Sequence, residues 1–150
     1  MAKRVTVKRP KDFVVPIALN GHIVNGLGAA SSLIRLQKPL QRNCFPEIDR
    51  CKAGTINVQL EHALDVRIPD IVTPAIAWQP GSNLAERFGF TKIELEFLRQ
   101  RHGAWIYGAE FSSHRFNYML VEVLAGPIER VAPGLSCTLH LDRFTGYIVV

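Results

Sequence analysis

Polar and apolar residues alternate singly along much of the chain. From Thr55 to Leu60 the side chains of Thr55, Asn57 and Gln59 fall on one face of an extended segment, and Ile56, Val58 and Leu60 fall on the other. Phe88 to Phe97 repeats this pattern around Ile93, Leu95 and Phe97, with Lys92, Glu94 and Glu96 opposite. Arg99-Gln100-Arg101-His102-Gly103 then reads as a hairpin turn. His22–Val24, Ser32–Leu36, Trp105–Phe111, Tyr118–Ala125, Cys137–Leu141 and Tyr147–Val150 read as further extended pieces. Many short strands punctuated by glycine and proline predict an all-β barrel or sandwich. Helix signals are few. Pro46–Lys52 has the makings of a turn or two, and Pro127–Ala132 starts with a proline and stops at Pro133-Gly134. Residues 1–12, 37–53 and 79–83 are the expected loose segments.

Length and charge refine this picture. The 150 residues suit one domain, with a basic tail over 1–12 and a barrel over 13–150. Lys3, Arg4, Lys8, Arg9 and Lys11 precede the first acid, Asp12, and account for the whole net charge of +5. A basic tail on a neutral body is weaker evidence for nucleic acid than a basic stripe across a fold. No apolar run reaches the roughly 18 residues of a membrane span, and the N-terminus lacks a secretory apolar stretch. The expectation is a cytoplasmic protein without a membrane partner. Cys44, Cys51 and Cys137 do not have zinc spacing, and reduced thiols are expected. The five histidines are scattered, without His-Glu-x-x-His, which argues against a zinc enzyme.

Three segments carry candidate chemistry. Asn25-Gly26-Leu27-Gly28-Ala29-Ala30-Ser31-Ser32 lies between two extended pieces. Its glycines let a ligand approach the backbone, and successive N–H groups there form an anion nest. The same glycines also suit a bend in a barrel strand. Neither the third glycine of a dinucleotide fingerprint nor the Gly-Lys-Ser/Thr of a Walker loop is present. Thr55 and Asn57 share a strand face at i, i+2 and offer one hydroxyl and one amide oxygen. Mg²⁺ takes such oxygens, keeps waters and lets phosphates complete its shell, while the bland alternative is the wet side of an amphipathic strand. Glu122 interrupts the apolar run Tyr118–Ala125, so its carboxylate needs solvent, a cation or a donor. It reads as an acceptor for a substrate hydroxyl, as an exposed edge position, or as an ion pair with Arg130 or Arg143. Arg130 reads as a phosphate or base donor, or as a surface arginine.

Taken in order, these segments resemble the CTP-dependent riboflavin kinases, best known from archaea. That family looks like Gly-x-Val-x-x-Gly-x-Gly, then Gly-Thr-Leu-Asn-Val, then Glu-Ile-Ile-Ala-Pro followed closely by Arg. The counterparts are Gly21–Gly28, Gly54-Thr55-Ile56-Asn57-Val58, and Glu122-Val123-Leu124-Ala125-Gly126 followed by Arg130. Arg87-Phe88-Gly89 and Trp105–Ala109 fall where the family has Arg-x-Phe-Gly and a strand ending Gly-Ala, so the colinearity covers roughly residues 20–142. The chain departs at Ala30, where the family has a third glycine, at Ser31-Ser32, where it has an Arg-aromatic pair, and at Cys51-Lys52-Ala53 before Gly54. His114 stands where a flavin-side threonine is expected.

The resemblance implies an all-β-dominated, six-stranded cradle-loop barrel with short helical turns. It also implies phosphoryl transfer from a nucleoside triphosphate, CTP in that family, to riboflavin, giving FMN. Carried over by position, Gly26, Leu27, Gly28, Ala29, Ala30 and Ser31 would hold the nucleotide phosphates. Pro127, Ile128, Glu129 and Arg130 would read the base, and Thr55 and Asn57 would hold Mg²⁺. Glu122 would meet the ribityl chain and orient the attacking hydroxyl, with His114 nearby on the acceptor side. Two other expectations stand beside this one: a non-catalytic barrel that binds nucleotide or DNA, and a kinase for a different acceptor.

Overall fold

The computed structural model describes residues 5–6, 17–25, 30–112, 114–141 and 147–149. The elements in chain order are β1 (Val5–Thr6), β2 (Ile17–Val24), α1 (Ala30–Gln41), a 3-10 helix (Pro46–Arg50), β3 (Ile56–Leu60), β4 (Leu64–Val66), β5 (Ile71–Val72), β6 (Phe88–Phe97), β7 (Gln100–Ala109), β8 (Leu120–Ala125), β9 (Ser136–Leu141) and β10 (Tyr147–Val149).

Six of these strands close into an antiparallel barrel in the order β6-β7-β8-β3-β2-β9, with β9 returning to β6. Closure is possible because β6 is long enough to serve two neighbours on one edge. Its first half pairs with β5 at Gly89 and Phe90, and its second half pairs with β9 through Glu94–His140, Leu95–Leu139 and Glu96–Thr138. β1, β10 and β4 form a separate small sheet. The pleat sends alternate side chains inward. Leu19, Ile23, Val58, Leu60, Ile93, Leu95, Val121, Val123 and Leu139 fill the interior. Gly21 is required where β2 crosses β3, because a Cβ there would lie 2.5 Å from the Gln59 carbonyl oxygen.

A second apolar layer lies on the outside of β6, β7 and β8. Phe88, Phe90, Tyr107 and Leu124 point outward there and are covered by Ile34 of α1 and by Phe45 and Ile48 around the 3-10 helix. Phe45 stacks on Phe90 at 4.2 Å between centroids and meets Trp105 edge-on at 4.7 Å. Burying each such phenylalanine is worth about 1.5–3 kcal/mol, so this layer, not helix propensity, holds α1 in place.

The structure corrects several expectations. Ser32–Leu36 lies inside helix α1 and is not a strand, and residues 37–53, expected to be loose, contain the end of α1 and the 3-10 helix. Pro127–Ala132 is not helical: Arg130 has φ 64°, which a right-handed helix cannot accommodate. The hairpin turn sits at Leu98–Arg99, and Gln100–Gly103 already belongs to β7. Val5–Thr6, within the expected tail, pairs with β10. The expected extended piece His22–Val24 begins earlier, at Ile17. Among the described residues no helix is long and apolar enough to cross a membrane. The three cysteines are free.

Candidate functional site

The register of three adjacent strands assembles the site. Asn57 on β3 faces Glu122 on β8, and Glu122 faces Tyr107 on β7. The three side chains therefore form one row across the outer surface of the barrel. Thr55 joins them two residues before Asn57, just after Gly54 turns the chain with φ 121°. Its hydroxyl donates to Asn57 Oδ1 at 3.1 Å. Ser112 Oγ, from the β7–β8 connection, donates to Glu122 Oε2 at 3.4 Å. Among the described residues Glu122 makes no ion pair with an arginine.

Burial pushes the Glu122 carboxyl above its ordinary value, and the charge of His114 and the hydroxyls of Ser112 and Thr55 pull it part of the way back. Burial likewise raises Tyr107. Its hydroxyl donates to Gln37 Oε1 at 2.7 Å, which ties β7 to α1.

Two of the cavities that touch this row meet at Thr55 and Asn57. The first, of about 360 Å³, has a polar end at Thr55, Asn57, Ser112, His114 and Glu122. It also has an apolar wall, formed by Leu33, Trp78, Leu84 and Phe111. Glu86 braces that wall, because one carboxylate oxygen accepts from Trp78 Nε1 at 2.8 Å and the other from the Phe111 N–H at 2.6 Å. The second cavity, of about 400 Å³, lies on the far side of Thr55 and Asn57 and is lined by Asn25, Lys52, Gly54, Ile128 and Arg130. Among the described residues only Thr55 and Asn57 line both cavities.

The expected site residues are thus partly gathered. Thr55, Asn57, Glu122 and His114 share the first cavity, and Ile128 and Arg130 share the second with Thr55 and Asn57. Pro127 and Glu129 lie on the same connection without lining either cavity. Gly26, Leu27, Gly28 and Ala29 lie outside the described residues, while Ala30 and Ser31 open α1. The sequence pattern does not predict a helix after the glycines. Nor does it single out Gln37, Trp78, Tyr107 or Glu86. Tyr107 sits on the same outward alternation as Trp105 and carried a signal, whereas Gln37 carried none.

The donor set suits a hard cation better than a soft one. Among the described residues no three His, Cys, Asp or Glu side chains cluster as a metal site. The Thr55 hydroxyl and Asn57 amide oxygen, with a carboxylate one strand away, match what Mg²⁺ takes when substrate phosphates and waters supply the rest. No protein-family model matches the chain, and no curated protein matches it.

Proposed function

We propose that the protein transfers the terminal phosphoryl group of a nucleoside triphosphate, CTP, to the terminal hydroxyl of riboflavin, giving FMN and CDP. One observation carries the reading: two cavities of about 360 and 400 Å³ meet at Thr55 and Asn57, and a half-buried carboxylate, Glu122, stands on one side of that junction with an arginine on the other. Such a junction lets two ligands meet end to end, and phosphoryl transfer asks a protein chiefly for that positioning and for charge neutralisation.

In this reading the nucleotide lies along Lys52, Gly54 and Arg130, whose cations and backbone suit phosphate and base. The acceptor lies in the first cavity, with its hydroxylated chain at Glu122 and its ring against Trp78 and Phe111. Mg²⁺ bound at Thr55 and Asn57 would supply charge neutralisation on the phosphates. Glu122 accepts the proton of the attacking hydroxyl as that oxygen bonds to phosphorus and the bond to the departing CDP oxygen breaks. A carboxyl raised by burial is a stronger base than an ordinary glutamate, which suits this role near neutral pH. The resemblance of Gly54–Val58 and Glu122–Arg130 to the CTP-dependent riboflavin kinases supports the choice of nucleotide and acceptor.

The test is a product assay with purified protein, Mg²⁺ and riboflavin, and CTP, ATP, GTP or UTP in separate reactions, with FMN read by chromatography. FMN with CTP is the expected result. Folded protein that makes no FMN with any of the four overturns the reading.

A further inference from the structure

Gln37 lies on the inner face of α1, nearly fully buried, yet it lines the first cavity. Its carboxamide is held by two hydrogen bonds. Gln37 Oε1 accepts from the Tyr107 hydroxyl at 2.7 Å and from Gln41 Nε2 at 3.3 Å. A carbonyl oxygen has two lone pairs, and here both are engaged from inside the protein. The NH₂ end is therefore the end left for the cavity.

Tyr107 fixes where that donor stands. It faces Glu122 across β7–β8 and also bonds Gln37, so Tyr107 stands between Glu122 and Gln37. Leu33, Trp78 and Leu84 are apolar walls of the same cavity. A buried, oriented N–H donor among apolar walls favours a ligand that places a carbonyl or ring nitrogen against it, and disfavours one that leaves it unpaired.

We propose that Gln37 is a specificity-determining residue of the acceptor cavity: its NH₂ donates to a carbonyl on the planar, apolar part of the acceptor, while Tyr107 and Gln41 hold the amide in that orientation. The inference deepens the acceptor assignment above and rests on it. Gln41 is part of the same arrangement. Its own Oε1 is buried without a partner among the described residues, so Gln41 orients Gln37 at a cost in unsatisfied polarity.

Gln37→Glu is the discriminating substitution. Assayed at a pH where the introduced side chain is ionised, the carboxylate keeps the shape and still accepts from Tyr107 and Gln41, but it turns an acceptor toward the ligand where a donor stood. Two readouts separate this proposal from the broader one. Lumichrome, which has the carbonyl-bearing flavin ring without the ribityl chain, is titrated by fluorescence. Riboflavin turnover is followed in parallel with both substrates varied.

The expected result is that Gln37→Glu weakens lumichrome binding and raises KM for riboflavin by about tenfold or more, the equivalent of one lost hydrogen bond, with KM for the nucleotide and kcat changed by less than about twofold. Tyr107→Phe, which releases the amide without removing it, gives a smaller loss of the same kind. Wild-type turnover with unchanged lumichrome affinity and riboflavin KM in Gln37→Glu overturns the assignment of Gln37 and leaves the kinase reading standing. A wild-type protein that neither binds lumichrome nor makes FMN overturns both. If Gln37→Glu loses its cooperative melting transition, Tyr107→Phe decides alone, and unchanged flavin affinity there overturns the proposal.

Discussion

The barrel interior and the layer outside β6, β7 and β8 are built from the same strands, yet they differ in kind. Inside, Val58, Leu95, Val123 and Leu139 pack among apolar neighbours, and burial pushes even the Cys137 thiol up to about 11. Outside, the alternate residues of the same strands include Asn57, Tyr107 and Glu122, packed beside Phe88, Phe90 and Leu124. One residue of register separates Val58, Leu95 and Leu139, which line neither cavity, from Asn57, Tyr107 and Glu122, which line the first. Closing the barrel frees its outer surface for chemistry, provided a helix arrives to bury that surface, and α1 does so.

The sharpest way to test this division is Glu122→Gln. It should lower kcat by about 10²–10⁴-fold, the usual contribution of a general base, while the protein stays folded. Stability should move the other way. The folded carboxyl lies above its ordinary value of 4.5, so its contribution to stability is present below that value and is lost as pH rises through the folded value. At pH 7 the variant should therefore melt at or above the wild-type temperature, and the gap should close as pH falls toward 4.5. The acid limb of the wild-type kcat profile should lie above the ordinary glutamate range and vanish in the variant. A variant with full turnover would remove Glu122 from the chemistry.

Leu139→Ala should behave in the opposite way. Fully buried in the barrel interior on β9, it should cost about 2–5 kcal/mol in denaturant unfolding, with KM for both ligands unchanged at a temperature where the protein remains folded. A large KM change without loss of stability would mean that the Leu139 end of the interior is coupled to the cavities it does not line.

How far the chain itself announces these two faces differs sharply. The interior is legible: Thr55–Leu60 and Phe88–Phe97 alternate in sequence and do so in space, and the closed barrel follows from strands of that kind. The outer layer is not. Its covering helix buries Ile34, Gln37 and Gln41 and exposes Leu33, Leu36 and Leu40, so the apolar pattern points to the wrong face. Pro39 within α1 further hides the helix. Gln37 is buried with a partner across the packing, Tyr107, and Gln41 with one on its own helix, Gln37, and hydropathy does not encode that. Thr55, Asn57 and Glu122 were readable as candidates, but their meeting depends on the β3–β8 register, which only pairing reveals.

Thr55→Ala probes the junction of the two cavities with a smaller effect. Losing its hydroxyl should weaken Mg²⁺-nucleotide binding and turnover together by about 10–100-fold, the range typical for residues that support a metal. Raised Mg²⁺ should recover part of the loss. Equal nucleotide affinity in the variant, measured by titration calorimetry with Mg²⁺ present, would detach Thr55 from the nucleotide.

The smallest effect should come from the opposite end of β6, where neither face is at stake. Leu98 and Arg99 form the two-residue turn between β6 and β7 with φ 49° and 64°, the left-handed conformation at both positions. Such a turn matches the twist of its strands but favours an Asn-Gly pair, and each side chain with a Cβ bears about 1 kcal/mol of strain there. The double substitution Leu98→Asn with Arg99→Gly should raise stability by about 1–2 kcal/mol. FMN formation should not change, because the turn lines neither of the two cavities that meet at Thr55. A gain in stability with altered KM would show that strain at the hairpin is transmitted along β6 to Phe88 and Phe90 beneath α1, and that the two faces are less independent than their packing indicates.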